Sequence, residues 1–255
     1  MARIFITGSS TGLGLMAGQL LLQQGHDVVL HARNAARAQD TRKAAPGATS
    51  VVIGDLSTIE GARIVAEQVN AQGKFDAAIH NAAIGYQEGH RLTPNGLPQV
   101  FAVNVLSPYI LTALIARPQR LVYMSSGMHR GADAHLDDLL WERRPWRGSQ
   151  AYAESKLYDA MLAFAIGRLW NLPSNAVDPG WVATRMGGTG APDDLEQGCR
   201  SQAWLAAGDS PSALVTGKYF FHMEQREPNR QALDIGLQDR LLEACARVSG
   251  IDMPM

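Results

Sequence analysis

The chain has 255 residues, 46% hydrophobic and 18% charged, with a formal net charge of −1. That length suits one large α/β domain or two small ones around a sizeable core, and so even a charge balance gives no electrostatic reason to expect nucleic acid or an acidic membrane as partner. Two cysteines, Cys199 and Cys245, are too few for a disulfide framework and lack metal-ligand spacing, which points to a buried, reduced pair.

The first strand is expected at Arg3–Thr7, so close to the amino terminus that a basic, apolar, cleavable leader has no room before it. The longest apolar segments, near 103–116 and 161–170, are too short to span a bilayer. A cytoplasmic protein is the expectation. Further strands are expected at Asp27–His31, Ser50–Gly54, Phe75–His80, Arg120–Ser125, Ser174–Asp178 and Lys218–His222. Helical periodicity lies between them, near Leu13–Gln24, Ile59–Gln72, Leu97–Ala116, Gln150–Trp170 and Leu195–Ala207, with a last helix at Leu237–Ser249. Alternation of this kind implies right-handed crossovers and a parallel sheet covered on both faces. The strands are apolar throughout, as in Val28-Val29-Leu30, which a doubly covered sheet requires. The expected fold is a Rossmann-type, doubly wound α/β sheet of about seven strands, with residues 1–255 forming one domain. Residues 127–148 break the rhythm and read as a surface excursion, with Arg143, Arg144 and Arg147 solvated; 187–194, with three glycines and a proline, reads as a mobile loop.

Strand one runs into Thr7-Gly8-Ser9-Ser10-Thr11-Gly12-Leu13-Gly14 and then an apolar helix. Glycines there let the chain turn tightly and let a pyrophosphate approach free N–H groups at a helix amino terminus. The spacing is Gly-x3-Gly-x-Gly, not the commoner Gly-x-Gly-x2-Gly. At the end of strand two, where an NAD-preferring fold places an acid, stand Ala32 and then Arg33. A guanidinium suits a ribose 2′-phosphate that an acid would repel, so NADP(H) is favoured over NAD(H). Tyr152 and Lys156 sit at i and i+4 on one helix, so the ammonium is expected to lower the phenol pKa towards working pH. Trp141, Trp146 and Trp181 lie in segments near the presumed site and either line a substrate cleft or simply pack. Met186 and the loop after it either form a lid or an ordinary connection. The scattered His31, His90, His129 and His135 show no ligand spacing, and no metal is expected.

In these residues, from the first strand to the last helix, the chain resembles the single-domain short-chain dehydrogenases/reductases. The resemblance implies that Gly8, Ser10, Thr11, Gly12, Leu13 and Gly14 hold the cofactor phosphates and that Asp55 and Leu56 adjoin the adenine. His80-Asn81-Ala82-Ala83 is similar to the family's Asn-Asn-Ala-Gly segment beside the adenosine ribose, departing from it at His80 and Ala83. Pro179, Gly180, Val182 and Thr184, in the segment opened by Asp178, match the residues that position the nicotinamide. Asn104, Ser126, Tyr152 and Lys156 match the reactive set: a helix asparagine supporting a proton-relay water, a serine on the substrate oxygen, and the tyrosine and lysine. Ser126 and Tyr152 are 26 residues apart, roughly double the interval of compact members. With Thr216-Gly217-Lys218-Tyr219-Phe220, this is similar to retinol-dehydrogenase-like and WW-domain oxidoreductase-like members and implies a lipophilic carbonyl or alcohol as substrate.

Two other readings stay open from sequence. A non-catalytic NADP(H)-sensing module would be expected to lose one of the four groups. An epimerase or dehydratase would need a larger carboxyl-terminal domain than the roughly 30 residues left here. The family commonly pairs helices corresponding to Leu97–Ala116 and Gln150–Trp170, and both carry apolar residues on more than one face (Ile110, Leu111, Leu114; Met161, Leu162, Phe164). A homodimer or homotetramer is therefore expected.

Overall fold

Alternate residues of each apolar run point to opposite faces of one sheet. In the computed structural model, which describes residues 1–255, β1 (Arg3–Ile6) sends Phe5 to one side and Ile4 and Ile6 to the other. It is joined by β2 (Asp27–Ala32), β3 (Ser50–Ile53), β4 (Ala77–His80), β5 (Arg120–Met124), β6 (Ser174–Asp178), β7 (Tyr219–Phe221) and β8 (Glu224–Arg226). The order is β3-β2-β1-β4-β5-β6-β7-β8, parallel from β3 to β7. The doubly wound expectation holds, with one strand more than expected. β8 pairs antiparallel with β7 through a tight turn in which His222 and Met223 both have positive φ. Its residues, Glu224-Gln225-Arg226, are all exposed, so no apolar run announces this charged edge strand.

One face is covered by α3 (Ile59–Asn70), α5 (Ser107–Leu114), α6 (Gly148–Trp170) and α8 (Ile235–Ser249); the other by α1 (Gly12–Gln23), α2 (Ala35–Ala44) and α7 (Leu195–Ala207). α2 carries no apolar stripe, burying only Ala38 and Thr41, and its periodicity is silent. Its start is set by Asn34, whose side chain accepts from Arg37 N at 3.0 Å.

The single helix expected over Leu97–Ala116 is broken. It consists of α4 (Gln99–Phe101), a π-helical turn (Ala102–Leu106) and α5. Pro108 has no N–H to give the carbonyl four residues earlier, that of Asn104, so a regular α ladder cannot run through this point.

The excursion is tied down more firmly than expected. Leu139 and Trp141 are buried, and Arg144 is not a solvated arginine. Its guanidinium reaches Asp138 Oδ2 at 3.0 Å and Glu154 Oε1 at 2.7 Å, and lies 4.1 Å from the Trp141 ring centroid. Arg143 is the exposed member, 3.8 Å from Asp137.

Ile110, Leu111, Met161, Leu162 and Phe164 are all buried within the chain. α8 packs on α6, and the tail beyond it returns over α5 and α6: Tyr109 Oη donates to Ile251 O at 2.8 Å and Trp170 Nε1 to Pro254 O at 2.7 Å. Most of the apolar residues on which pairing through those helices was expected are thus covered within the chain, Leu114 being half-buried. Both cysteines are free and buried. No helix is long and apolar enough to cross a membrane.

Candidate active site

The sheet order reverses between β1 and β4, and open α/β sheets bind ligands outside the carboxyl ends of their strands at such a switch. A cleft of about 990 Å³ lies there. The ends of β1 and β4 are stitched together by Thr7, whose Oγ1 accepts from Asn81 N at 2.9 Å and Ala82 N at 3.0 Å. Asn81 Nδ2 donates in return to the carbonyls of Thr7 and Gly8, both at 3.1 Å.

This packing explains the loop's glycines. Gly8 has a positive φ, and a Cβ on it would meet Ala82 Cα at 2.6 Å; a Cβ on Gly14 would lie 2.3 Å from Asn81 Nδ2. The loop delivers the chain into α1, whose N-cap Thr11 makes no side-chain capping bond, whereas α2, α3, α7 and α8 are each capped by Asn34, Thr58, Asp194 and Asp234. Uncapped N–H groups at the positive end of a helix, behind a glycine cradle, fit an anionic pyrophosphate.

Of the residues expected to bind cofactor, Gly8, Ser10, Thr11, Gly12, Leu13, Arg33, Asp55, Leu56, Asn81, Ala82, Ala83, Tyr152, Lys156, Pro179 and Thr184 line the cleft. Gly14 stands behind it as packing. Gly180 and Val182 lie beside it: Val182 is buried, and Gly180, with positive φ, has its N–H bonded to Asp178 Oδ1 at 3.0 Å. Arg33 is exposed and unpaired, and Arg37, one turn into α2, lines the same cleft unpaired. Two guanidiniums at the end of β2, with no carboxylate of their own, fit a ribose phosphate. Arg37 carries no motif and was not expected.

His31 was also missed as a part of the site. It accepts from Gly8 N at Nδ1 (3.0 Å), so its proton belongs on Nε2, which donates to Gly54 O at 2.9 Å. The ring thus joins the glycine loop to β3. Burial pushes its pKa down, keeping it neutral.

Tyr152 and Lys156 are brought together on α6, buried under the cleft mouth. The Ser126 hydroxyl faces the phenol. Ser126 also caps the short turn Gly127–Gly131, and its carbonyl accepts from His129 Nδ1 at 2.7 Å, while His129 Nε2 accepts from Asn229 N at 3.0 Å. Lys156 draws the phenol pKa down as expected, but the net direction is upward. Burial raises it above its usual value, and Lys156 and Ser126 pull down without overcoming burial. Lys156 Nζ is turned to Asp159 Oδ2 and Met124 O, both at 2.8 Å.

Asn104 does not reach the cleft. Its amide is spent on Ile84 N (2.9 Å), Ile84 O (3.1 Å) and Ser155 Oγ (3.0 Å), pinning residues 84–86 to α6. That places Tyr86 edge-on to Tyr152, with ring centroids 6.1 Å apart. Met186 packs over the same segment, against Gly85. The loop behind Met186 is bound to its own base, Trp181 Nε1 donating to Gly187 O at 2.8 Å. Trp141 and Trp146 pack on each other, with His90 stacked on Trp146; none of Trp141, Trp146 and Trp181 lines the cleft.

Comparison with known proteins decides the family. An uncharacterised oxidoreductase of Emericella nidulans is 43% identical over 260 residues, covering 100% of this chain and 99% of the relative. The chain belongs to the short-chain dehydrogenase family.

The short chain dehydrogenase profile matches residues 2–128. A short-chain dehydrogenase of Penicillium rubens is 40% identical, covering all of both chains, and human retinol dehydrogenase 13 is 26% identical over 98% of this chain and 85% of its own. Among solved structures, a Mycobacterium paratuberculosis protein superposes with a TM-score of 0.86 at 23% identity, covering 100% of this chain and 96% of its own. A blue fluorescent protein from a metagenomic library, in complex with NADPH, superposes with 0.70 at 21%, covering 86% and 95%. At those identities the structures speak for the fold. This short-chain dehydrogenase is an oxidoreductase with a nucleotide-binding fold.

Proposed function

We propose that the protein is an NADP(H)-dependent oxidoreductase that interconverts a carbonyl and an alcohol. The observation that carries this reading is the meeting of Tyr152 and Lys156, with Ser126 behind the cleft wall beside the phenol, at one end of a cleft whose other end offers an uncapped helix amino terminus and two unpaired arginines.

The glycine loop and the first turn of α1 would hold the pyrophosphate, Arg33 and Arg37 the 2′-phosphate, Asp55 and Leu56 the adenine, and Asn81, Ala82 and Ala83 the adenosine ribose. Pro179, Gly180, Val182 and Thr184 would orient the nicotinamide and its carboxamide. A bound nicotinamide supplies hydride exchange with the carbonyl carbon; the chain's own groups handle the oxygen. Ser126 donates a hydrogen bond to the oxygen as negative charge develops there. Tyr152 gives its proton to that oxygen in reduction and takes it back in oxidation. Lys156 binds the nicotinamide ribose hydroxyls and offsets the phenolate charge. Asn104, whose amide is committed to Ile84 and Ser155, would serve a proton-relay water only through its backbone.

The substrate is a ketone, aldehyde or alcohol with an apolar body. Ile84, Tyr86 and Met186 give its flank an apolar surface, while Gln87 and Glu88 set a polar limit. The test is nucleotide consumption with aldehydes, ketones and quinones. NADPH oxidation faster than NADH oxidation is expected; the reverse order contradicts the reading of Arg33 and Arg37, and binding without turnover across the panel favours a sensing module.

A further inference from the structure

Lys156 is held between the phenol it serves and a carboxylate. Its ammonium donates to Asp159 Oδ2 and Met124 O, both at 2.8 Å, and lies 5.7 Å from the Tyr152 ring centroid. Both members of the ion pair are 2% exposed. Along α6, Tyr152 precedes the lysine by four residues and Asp159 follows it by three, so the three side chains form one stripe with the ammonium between a phenol and a carboxylate. A buried charge needs a partner, and here the partner sits on the side away from the cleft chemistry.

We propose that Asp159 is a positioning residue acting through Lys156: it ties the ammonium to the end of β5 and opposes its pull on Tyr152 until the ribose hydroxyls of a bound nicotinamide nucleotide draw it forward. The phenol then becomes acidic only with cofactor in place. This rests on the cofactor reading above.

The surroundings agree. Burial pushes the Asp159 carboxyl up to about 6 against the pull of Lys156. Tyr152, raised first by burial, is raised further by Asp159 and by Asp178 of β6. The other titratable group that feels Asp159 is Tyr123 of β5, whose hydroxyl is occupied by Thr112 at 2.7 Å. Asp178 is bound to Gly180 N and does not reach the lysine, which leaves Asp159 as the carboxylate that governs it.

Ultraviolet difference titration of the free protein reads the phenol without any cofactor, and Tyr152→Phe assigns its step. Asp159→Asn keeps the shape and an acceptor oxygen while removing the charge. The Tyr152 step is expected to fall by about one pH unit or more in that variant, to vanish in the double variant with Tyr152→Phe, and to stay at the wild-type position in Asp159→Glu. An unmoved step in Asp159→Asn overturns the proposal. Should that variant not fold, Asp159→Ser, which leaves room for a water beside the ammonium, is titrated in its place. Adding saturating NADPH is expected to lower the step in the wild type and to change it little in Asp159→Asn. A wild-type step that stays put with NADPH demonstrably bound overturns the gating. Absence of NADPH binding leaves the difference between the two free proteins intact and counts against the cofactor reading instead.

Discussion

Arg33 and Arg37 show what a single side chain contributes that a motif does not announce. Arg33 was legible because it follows Ala32, where an acid would stand. Arg37 was not, since nothing in a spacing rule tells that the first turn of α2 faces the cleft. A charge-assisted hydrogen bond is worth about 1.5–3 kcal/mol. Arg37→Ala should therefore weaken NADPH binding about tenfold or more while leaving NADH binding unchanged, as read by fluorescence titration. Equal losses for both nucleotides would mean that Arg37 shapes the loop and does not touch a 2′-phosphate. Of the expected reactive set, Tyr152 and Lys156 line the cleft, while Asn104 and Ser126 do not. The direction of the Tyr152 pKa was not legible, because it depends on burial and on Asp159, which the Tyr-x3-Lys spacing does not contain.

Elements were legible where an apolar run or stripe marks them. β1 to β7 and the long α6 carry that pattern; α2 and β8 are polar and exposed, and their formation is set by a cap and a turn instead of a core face. The π-helical turn before Pro108 was hidden by an unbroken apolar pattern, since periodicity sees side chains and not ladder partners. In the excursion 127–148 one arginine bridges the segment to α6. Arg144 joins Asp138 and Glu154, both nearly buried, and removing it takes their shared cation away while leaving Asp138 its backbone donors and Glu154 the Gln150 amide. Arg144→Met should cost about 3–5 kcal/mol and open residues 132–147 to limited proteolysis. Wild-type thermal stability with unchanged cleavage would show that the excursion is held by its tryptophans alone.

At the scale of the whole molecule the doubly wound topology followed from strand–helix alternation, and the cleft followed from the switch between β1 and β4. The fate of the apolar residues on α5 and α6 did not, because sequence cannot tell a surface covered by another copy from one covered by the chain's own α8 and tail. Burial also gives the fold a pH dependence. His80 is pushed down to about 3, and His31 and His129 are lowered in the same way. These rings stay neutral in the fold while the unfolded chain takes up protons below about 6.5, so stability is full above that pH and is lost as pH falls through it. Each such proton contributes about 1.4 kcal/mol per pH unit. Asp159 acts oppositely, since its raised pKa lets the fold take up a proton between about 6 and 3.8. The histidines outnumber it. The thermal midpoint should fall from pH 7 to pH 5, and His80→Gln should flatten the slope; a midpoint that rises on acidification would contradict the neutral assignment of these rings.

Whether the cleft is a reductase site turns on the phenol of Tyr152. Carbonyl-dependent NADPH oxidation, compared between the wild type and Tyr152→Phe with nucleotide affinity measured on both, addresses it most directly. The expected result is a fall in kcat of about 100-fold or more with NADPH affinity nearly unchanged. Undiminished turnover in Tyr152→Phe would contradict the mechanism.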